Sequence, residues 1–170
     1  EIRQSEAAIP VESIFFGGGT PSLLPPSAVA RLLDALSARF SLASDAEITA
    51  EANPDDISPE LVQRWRLEGV NRISLGVQSF SDEALHYLGR RHDAAKARRA
   101  VTLIAEAYSN WNIDLIFGAP PLDAWGDVLE EALAFQPPHI ALYGLTYEPG
   151  TPFGARADEA VDDDTSLALY

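Results

Sequence analysis

The sequence contains no cysteine among its 170 residues, which excludes disulfide bonds and thiolate metal sites within them. It also contains no methionine and starts at Glu1, so we interpret it as an excerpt of a longer protein. Basic residues are scarce, because 12 Lys and Arg stand against 26 Asp and Glu, a formal net charge of -14. A surface of this charge repels phosphate backbones and anionic lipids, so no nucleic-acid partner is predicted.

Long apolar runs are also missing. No run approaches the roughly 20 apolar residues that span a bilayer, and the first six residues, Glu1 to Glu6, contain no signal-peptide core. We therefore predict a soluble, cytoplasmic protein without a transmembrane segment. The apolar fraction of 46% is enough to bury one substantial core, so one domain is the expected organisation.

Short apolar segments alternate with helical patterns along the chain. The predicted helix starts carry the expected residues: Ser58 precedes Pro59, and Ser81 precedes two acidic residues, both typical of N-caps. The predicted strands are Ser13–Phe16, Glu47–Ala50, Arg72–Val77, Asn112–Phe117 and His139–Leu145, and the predicted helices are 26–40, 58–68, 81–88 continuing through 93–108, and 124–135.

This alternation predicts a parallel sheet covered by crossover helices, in either a barrel or a doubly wound sheet. Polar residues at the strand ends favour the barrel. Thr20 follows the first strand, Glu51 and Asn53 the second, and Gln78 the third, while Asp114 lies within the fourth. In a barrel these residues share one mouth, whereas an open sheet spreads them along an edge.

The strongest local signal is the segment Gly17-Gly18-Gly19-Thr20-Pro21-Ser22 after the first strand. Three glycines remove every Cβ from the turn, so a ligand can contact backbone amides and carbonyls there. A tight strand-to-helix turn without a ligand explains the same residues equally well. No Gly-Lys-Ser/Thr follows, so this is not a nucleotide phosphate loop of the Walker type.

Six short motifs occur in a fixed order along the chain: Gly17–Ser22, Glu51–Asp55, Ser74–Phe80, Leu88–His92, Asp114–Gly118 and Glu148–Pro152. Together they resemble the oxygen-independent coproporphyrinogen III oxidase family of radical S-adenosylmethionine (SAM) proteins, over about residues 14–170. The Glu-Ala-Asn-Pro, Gln-Ser-Phe and Leu-Gly-Arg-Arg-His stretches are more similar to the HemW branch, proposed to be heme chaperones, than to the decarboxylating oxidases.

The resemblance implies an α/β fold, a partial six-stranded (β/α) TIM-like barrel of which this chain covers about strands 2 to 6. Residues 1–153 would form this part of the barrel, and residues 154–170 would start a C-terminal extension. It further implies binding of SAM and of a [4Fe-4S] cluster, whose three cysteine ligands would lie upstream of Glu1. This segment therefore could not carry out radical chemistry by itself.

The function implied is oxidative decarboxylation of coproporphyrinogen III to protoporphyrinogen IX. The alternative is a heme chaperone that binds and transfers heme without oxidase activity. The corresponding partners are a tetrapyrrole, either coproporphyrinogen III or heme, together with heme-accepting proteins and an electron donor such as a flavodoxin. The residues shared by the two branches do not separate these functions.

The resemblance also implies which residues bind SAM. The glycine motif meets the amino group through its backbone, Arg90 pairs with the carboxylate, and Glu51 faces the methionine part. Gln78 and Asp114 bind the ribose hydroxyls, and the end of the fifth strand lies near adenine. The implied cofactor-binding residues are Gly17, Gly18, Gly19, Thr20, Glu51, Gln78, Arg90, Asp114 and Gly144.

Several of these assignments have alternatives. Glu51 also suits a helix entry or a salt bridge, Arg91 is a neighbouring candidate for the role of Arg90, and Tyr143 with Gly144 suits ordinary core packing. For Asp114 the alternative is weaker, because an ionised carboxylate in an apolar strand is costly without a partner.

No metal ligand and no catalytic residue is predicted within the chain. His92, beside two arginines, is typical of a surface or capping residue, while His86 and His139 have no companion at ligand spacing. A metal-independent barrel lyase or isomerase would need a lysine or histidine at a strand end. The only lysine, Lys96, lies in a predicted helix.

Overall fold

Five parallel strands pair in the order in which they occur along the chain. The computed structural model describes residues 10–25 and 27–170. Within these ranges the strands are β1 (Val11–Phe16), β2 (Leu42–Ala52), β3 (Arg72–Gln78), β4 (Trp111–Phe117) and β5 (His139–Gly144).

The strand order decides between the two architectures that the sequence pattern allows. A doubly wound sheet reverses its strand order at a switch point, whereas here every crossover moves one strand in the same direction. Crossovers of the usual right hand, all in one direction, place the helices on one face of the sheet. The sheet therefore curls as part of a barrel, and the predicted partial (β/α) barrel is confirmed.

Helices connect the strands close to the predicted positions. Ser58 accepts a hydrogen bond from the Leu61 amide and Ser81 accepts one from the Ala84 amide, so both predicted N-caps are confirmed. The pattern predicted over 81–108 forms two helices, because Gly89 turns the chain with a φ of +67° and Asp93 caps the second. The helices are α1 (Ala28–Ser37), α2 (Pro59–Leu67), α3 (Asp82–Tyr87), α4 (Ala94–Ala107), α5 (Trp125–Ala134) and α6 (Asp163–Leu169).

The two faces of the sheet differ in chemistry. Ile73, Leu75 and Ile113 are fully buried in the core, which lies between the sheet and the helices and includes Trp65 of α2 and Ile104 of α4. The residues that alternate with them on β3 and β4 are mainly polar or glycine. Branched apolar side chains usually fill the interior of such a barrel, so a polar interior suits a polar ligand.

The C-terminal segment has regular structure that the sequence pattern did not predict. Residues 154–159 form 3-10 turns and α6 follows. The Trp125 indole donates a hydrogen bond to the Leu169 carbonyl at 2.7 Å, and the Tyr170 ring packs 5.9 Å from the Phe117 ring. A helix this short is marginal without such contacts. The division of the chain at residue 153 stays a prediction.

Residues 1–9 and residue 26 lie outside the described ranges. They include the predicted start of the barrel domain, the N-terminal segment without a signal-peptide core and the predicted first residue of the first helix. In residues 10–25 and 27–170, no helix is long and apolar enough to cross a membrane.

Candidate cofactor-binding site

A cavity of about 270 Å³ opens at the carboxyl ends of the strands. It brings together the polar residues that the sequence placed at separate strand ends, as expected for a barrel mouth. The lining residues are Gly19, Pro21, Glu51, Ala52, Asn53, Ser74, Gly76, Gln78, Arg90, Asp114, Ile116 and Tyr143.

The glycine turn after β1 is joined to the end of β2. Glu51 Oε2 accepts a hydrogen bond from the Gly18 amide at 3.0 Å. Gly18 and Gly19 have φ values of +79° and +57°, a region that residues with a Cβ rarely adopt. A Cβ on Gly17 would lie 3.1 Å from the Glu51 carboxyl carbon and 2.6 Å from a Phe15 ring carbon. The turn thus needs glycine for its dihedral angles and for the close approach of Glu51.

The end of β3 directs Gln78 into the cavity with an unusual backbone. Gln78 has a φ of +68°, and the β3–β4 pairing is irregular between Leu75 and Gln78. A Cβ on Gly76 would lie only 2.9 Å from Gln78 Nε2, so the glycine leaves room for the Gln78 side chain. A left-handed non-glycine residue costs about 1–3 kcal/mol and is common at ligand sites.

Asp114 is held by two polar neighbours. The Ser74 hydroxyl lies 3.2 and 3.1 Å from the two Asp114 carboxylate oxygens, and Asn112 Nδ2 donates to Oδ1 at 2.6 Å. Asn112 Nδ2 also donates to Ser74 Oγ at 2.8 Å, since the two residues pair directly between β3 and β4. These contacts leave lone pairs on the carboxylate free for ligand hydroxyl groups.

The pKa of Asp114 reflects this environment. Burial raises the pKa of the Asp114 carboxyl, the hydrogen bonds from Asn112 and Ser74 oppose that rise, and the charge of Glu51 adds to it. A donor that arrives with a ligand would favour the ionised form. The site is therefore suited to a group that donates hydrogen bonds.

Arg90, and not Arg91, lines the cavity. The Arg91 side chain is 72% exposed and forms ion pairs with Asp55 and Asp56. Arg90 has no ion pair with a described residue, and burial lowers the pKa of its guanidinium group. A partly buried guanidinium of this kind is well suited to a carboxylate that arrives with a ligand.

Not every predicted residue lines the cavity. Gly17, Gly18 and Thr20 lie in the glycine turn but are not among the lining residues. A Cβ on Gly144 would lie 3.3 Å from the Phe117 ring, so Gly144 packs against that ring while the adjacent Tyr143 faces the cavity. The assignment of all nine residues to the cofactor, including those that line the cavity, stays a prediction.

The sequence interpretation missed Ser74 and Asn112, although a signal was available. Ser74 precedes Gln78 by four residues and Asn112 precedes Asp114 by two. Residues an even number apart in a regular strand face the same side. Gln78 and Asp114 are predicted to face the mouth. The spacing therefore predicts that Ser74 and Asn112 lie on the same face of the sheet, one or two side chains further from the carboxyl ends of the strands.

His92 differs from its prediction as a surface or capping residue. Its side chain is buried, with 4% of its surface exposed, and Nε2 lies 3.0 Å from the Val77 carbonyl oxygen. The reason is that the segment between α3 and α4 folds back over the end of β3. No group of three His, Asp or Glu residues that could bind a metal occurs in the described part of the chain.

The chemistry of the cavity fits SAM. The cofactor carries a carboxylate, an ammonium, a sulfonium and a ribose diol, and the cavity offers a guanidinium, carboxylates and an amide. A Cβ on Gly17 would crowd the Glu51 side chain, and a Cβ on Gly76 would crowd the Gln78 side chain. The two glycines therefore leave room for the groups that face the cavity. The chain offers no cysteine to an iron–sulfur cluster, so no residue of this chain is assigned to one.

Comparisons with known proteins give the family. A sequence profile of the Radical SAM superfamily matches residues 1–132. The chain is 48% identical over 164 residues to the heme chaperone HemW of Escherichia coli. This alignment covers 94% of this chain and 43% of HemW. It is 38% identical over 170 residues to a mitochondrial protein of Mus musculus, radical S-adenosyl methionine domain-containing protein 1, covering 94% of this chain and 38% of that protein.

A solved structure gives the same assignment. Coproporphyrinogen III oxidase (HemN) of Escherichia coli, a radical SAM enzyme, superimposes with a TM-score of 0.78 at 27% identity, over 94% of this chain and 38% of that one. The chain thus spans less than half the length of the relatives described here. Membership of the superfamily implies SAM and an iron–sulfur cluster. The chain belongs to the radical SAM superfamily, and within it is similar to HemW and HemN.

Proposed function

We propose that this chain is the SAM-binding part of a HemW-like heme chaperone, a protein that binds heme and transfers it to other proteins. The observation that carries the proposal is the 48% identity to HemW over 94% of the chain. The strand-end cavity supports it, because its polar groups match those of SAM.

The methionine end of SAM would lie between Arg90 and Glu51. The guanidinium of Arg90 has no ion pair with a described residue and would pair with the SAM carboxylate. Glu51, fixed by the Gly18 amide, would face the positively charged ammonium and sulfonium. Gly19 lines the cavity and would offer backbone groups at the same end, next to Thr20.

The nucleoside end would lie against β3, β4 and β5. Gln78 and Asp114 both line the cavity, and each can bind a ribose hydroxyl, Asp114 as acceptor and Gln78 as donor or acceptor. Tyr143, whose side chain is exposed at the cavity rim, would lie near adenine together with Gly144. A ring stacked on adenine would suit this position.

When bound together, SAM and a reduced [4Fe-4S] cluster supply one-electron chemistry, while the residues of this chain bind and orient SAM. Heme is proposed as the cargo, with heme-accepting proteins and an electron donor such as a flavodoxin as partners. The cytoplasmic location inferred from the sequence stays a prediction.

A second candidate function is oxidative decarboxylation of coproporphyrinogen III. The observation in its favour is the similarity to HemN, with a TM-score of 0.78. The identity to HemN is 27%, against 48% to HemW, so we favour the chaperone.

The test uses the full-length protein that contains this chain, reconstituted anaerobically with iron and sulfide. Absorption spectra would report the cluster, and SAM and then heme would be titrated. Stoichiometric heme binding, transfer to an apoprotein and no turnover of coproporphyrinogen III would support the chaperone. Turnover to protoporphyrinogen IX would favour the oxidase, and the absence of both cluster and SAM binding would contradict both functions.

Two neighbouring arginines provide a matched pair of variants for the same titration. Arg90→Ala is expected to lower SAM affinity by about tenfold or more, because a charge-assisted pair is lost. Arg91→Ala removes the ion pairs of an exposed guanidinium with Asp55 and Asp56, and is expected to leave SAM affinity unchanged. Equal effects of the two substitutions would contradict the assignment of Arg90.

A further inference from the structure

We infer that His92 is a positioning residue that fixes Arg90 at the cavity by tying the segment between α3 and α4 to the end of β3. The inference rests on the proposed function, since it concerns how the SAM carboxylate is recognised. It assigns His92 no contact with SAM itself.

The hydrogen bond from His92 reaches a part of β3 where the strand pairing is incomplete. Nε2 lies 3.0 Å from the Val77 carbonyl oxygen, and it must be the donor because a carbonyl only accepts. The pairing of β2 with β3 ends at Leu75, and the β3–β4 pairing is irregular from Leu75 to Gln78. His92 therefore anchors the residue directly before Gln78.

The same bond limits where Arg90 can lie. α3 ends at Tyr87, Gly89 turns the chain and Asp93 caps α4, so only a short segment joins the two helices. Arg90 is two residues before His92 in this segment and lines the cavity. His92 is the nearest residue on the C-terminal side of Arg90 with a buried side chain. On the N-terminal side, the Arg90 amide is hydrogen-bonded to a carbonyl of α3, so the His92 bond fixes the other end of the segment that carries Arg90.

Arg91 offers a weaker hold on the segment. Its side chain is 72% exposed, and its contacts with Asp55 and Asp56 are 3.5 and 4.0 Å long. Both aspartates are largely buried, but the guanidinium lies mostly in water, so these long pairs are partly screened by water and salt and contribute little. A buried hydrogen bond to the backbone defines a position better than this pair does.

The protonation state of His92 is consistent with this role. Burial lowers the pKa of His92, the bond to Val77 and the charge of Asp55 oppose that, and the charges of Arg90 and Lys96 lower it further. The neutral ring with its proton on Nε2 is therefore favoured. A neutral donor supports the segment without placing a second buried cation near Arg90.

The experiment compares SAM with decarboxylated SAM, which lacks the carboxylate, in the reconstituted full-length protein. His92→Phe retains a ring but removes the donor, and is expected to lower SAM affinity by about tenfold while changing that for decarboxylated SAM by less than about twofold. His92→Gln, which restores an N–H donor, is expected to recover most of the SAM affinity. A general loss of structure would weaken both ligands alike.

A double substitution adds an independent readout. If His92 acts through Arg90, His92→Phe in an Arg90→Ala background is expected to cause no further loss of SAM affinity. Additive losses, or an equal loss for both ligands, would overturn the inference. If His92→Phe does not fold, His92→Asn takes its place, because the shorter amide does not extend as far towards Val77 as the ring does.

The wild-type protein separates this inference from the proposed function. If it binds neither SAM nor decarboxylated SAM, the proposed function itself is wrong. If it binds both with equal affinity, SAM binding stands, but Arg90 does not recognise the carboxylate and the role of His92 is overturned.

Discussion

Glu51 and Gly18 are joined by a hydrogen bond of 3.0 Å although they are 33 positions apart in the chain. The bond connects the turn after β1 to the end of β2, where the two strands run side by side with Phe16 paired to Ala50. The glycine turn and the carboxylate are therefore one structural unit, and a change in either is expected to affect the other.

Substitution of Glu51 tests this unit. Glu51→Ala removes both the charge and the acceptor for the Gly18 amide, and is expected to lower SAM affinity by about tenfold or more. Glu51→Gln removes the charge but retains the acceptor, so we expect a smaller loss. Isothermal titration of the reconstituted protein would measure both. Equal losses would mean that the charge alone matters and that the contact with Gly18 does not.

Substitution of Gly17 tests the close approach in the turn. Gly17→Ala would bring a Cβ to 2.6 Å from a Phe15 ring carbon and 3.1 Å from the Glu51 carboxyl carbon, so both side chains have to shift and SAM affinity is expected to fall severalfold. Gly126→Ala is the matched control, because Gly126 lies in α5 with no atom within 4 Å of its added Cβ. The control is expected to raise the free energy of unfolding by about 0.5–1 kcal/mol and to leave SAM binding intact. Unchanged SAM affinity in Gly17→Ala would contradict the proposed contact.

Substitution of Asp114 is expected to raise stability while weakening binding. Burial raises the pKa of Asp114 in the folded protein above its value in the unfolded chain. The folded state then holds the proton more tightly, so the free energy of unfolding falls as pH rises from the unfolded pKa, near 3.8, through the folded pKa. Above that range Asp114→Asn removes the cost of the buried charge.

Two measurements check the prediction for Asp114. Thermal unfolding at neutral pH is expected to give a higher melting temperature for Asp114→Asn than for the wild type, and SAM titration is expected to give an affinity about tenfold lower. Ser74→Ala serves as a comparison, because it removes a hydrogen bond to Asp114 but keeps the carboxylate. A lower melting temperature for Asp114→Asn would show that its hydrogen bonds outweigh the cost of its charge.

His92 is expected to make stability depend on pH in the opposite sense. Burial lowers the pKa of His92 in the folded state. As the pH falls below about 6.5, the imidazole is therefore protonated in the unfolded chain before it is protonated in the folded protein. The contribution of His92 to stability is therefore complete above pH 6.5 and is lost as pH falls towards the folded pKa. Urea unfolding from pH 8 to pH 5 would measure it.

The difference between wild type and His92→Gln isolates this contribution from that of the other titrating groups. Glutamine has no charge in this range, so the wild type is expected to lose more stability on acidification than the variant does. Parallel pH profiles for the two proteins would contradict the prediction that His92 is buried in its neutral form.

Local features of the sequence determined the elements of this fold. The N-caps at Ser58 and Ser81 act within their own helices, and the glycines of the turn after β1 act through their own dihedral angles. Such effects depend on near neighbours, so they can be predicted without knowing the tertiary structure. The short apolar runs identified all five strands for a similar reason, although β2 extends back to Leu42, where Asp45 and Ser44 weaken the pattern.

The tertiary structure alone decided which residues became neighbours. The sequence pattern allows a barrel or an open sheet, and only the strand order selects the barrel that gathers Glu51, Gln78 and Asp114 around one cavity. Burial of His92 and the docking of α6 on Trp125 likewise depend on distant segments meeting. Helix caps and turns are stabilised within a few residues, whereas burial and long-range hydrogen bonds exist only once the whole sheet has formed.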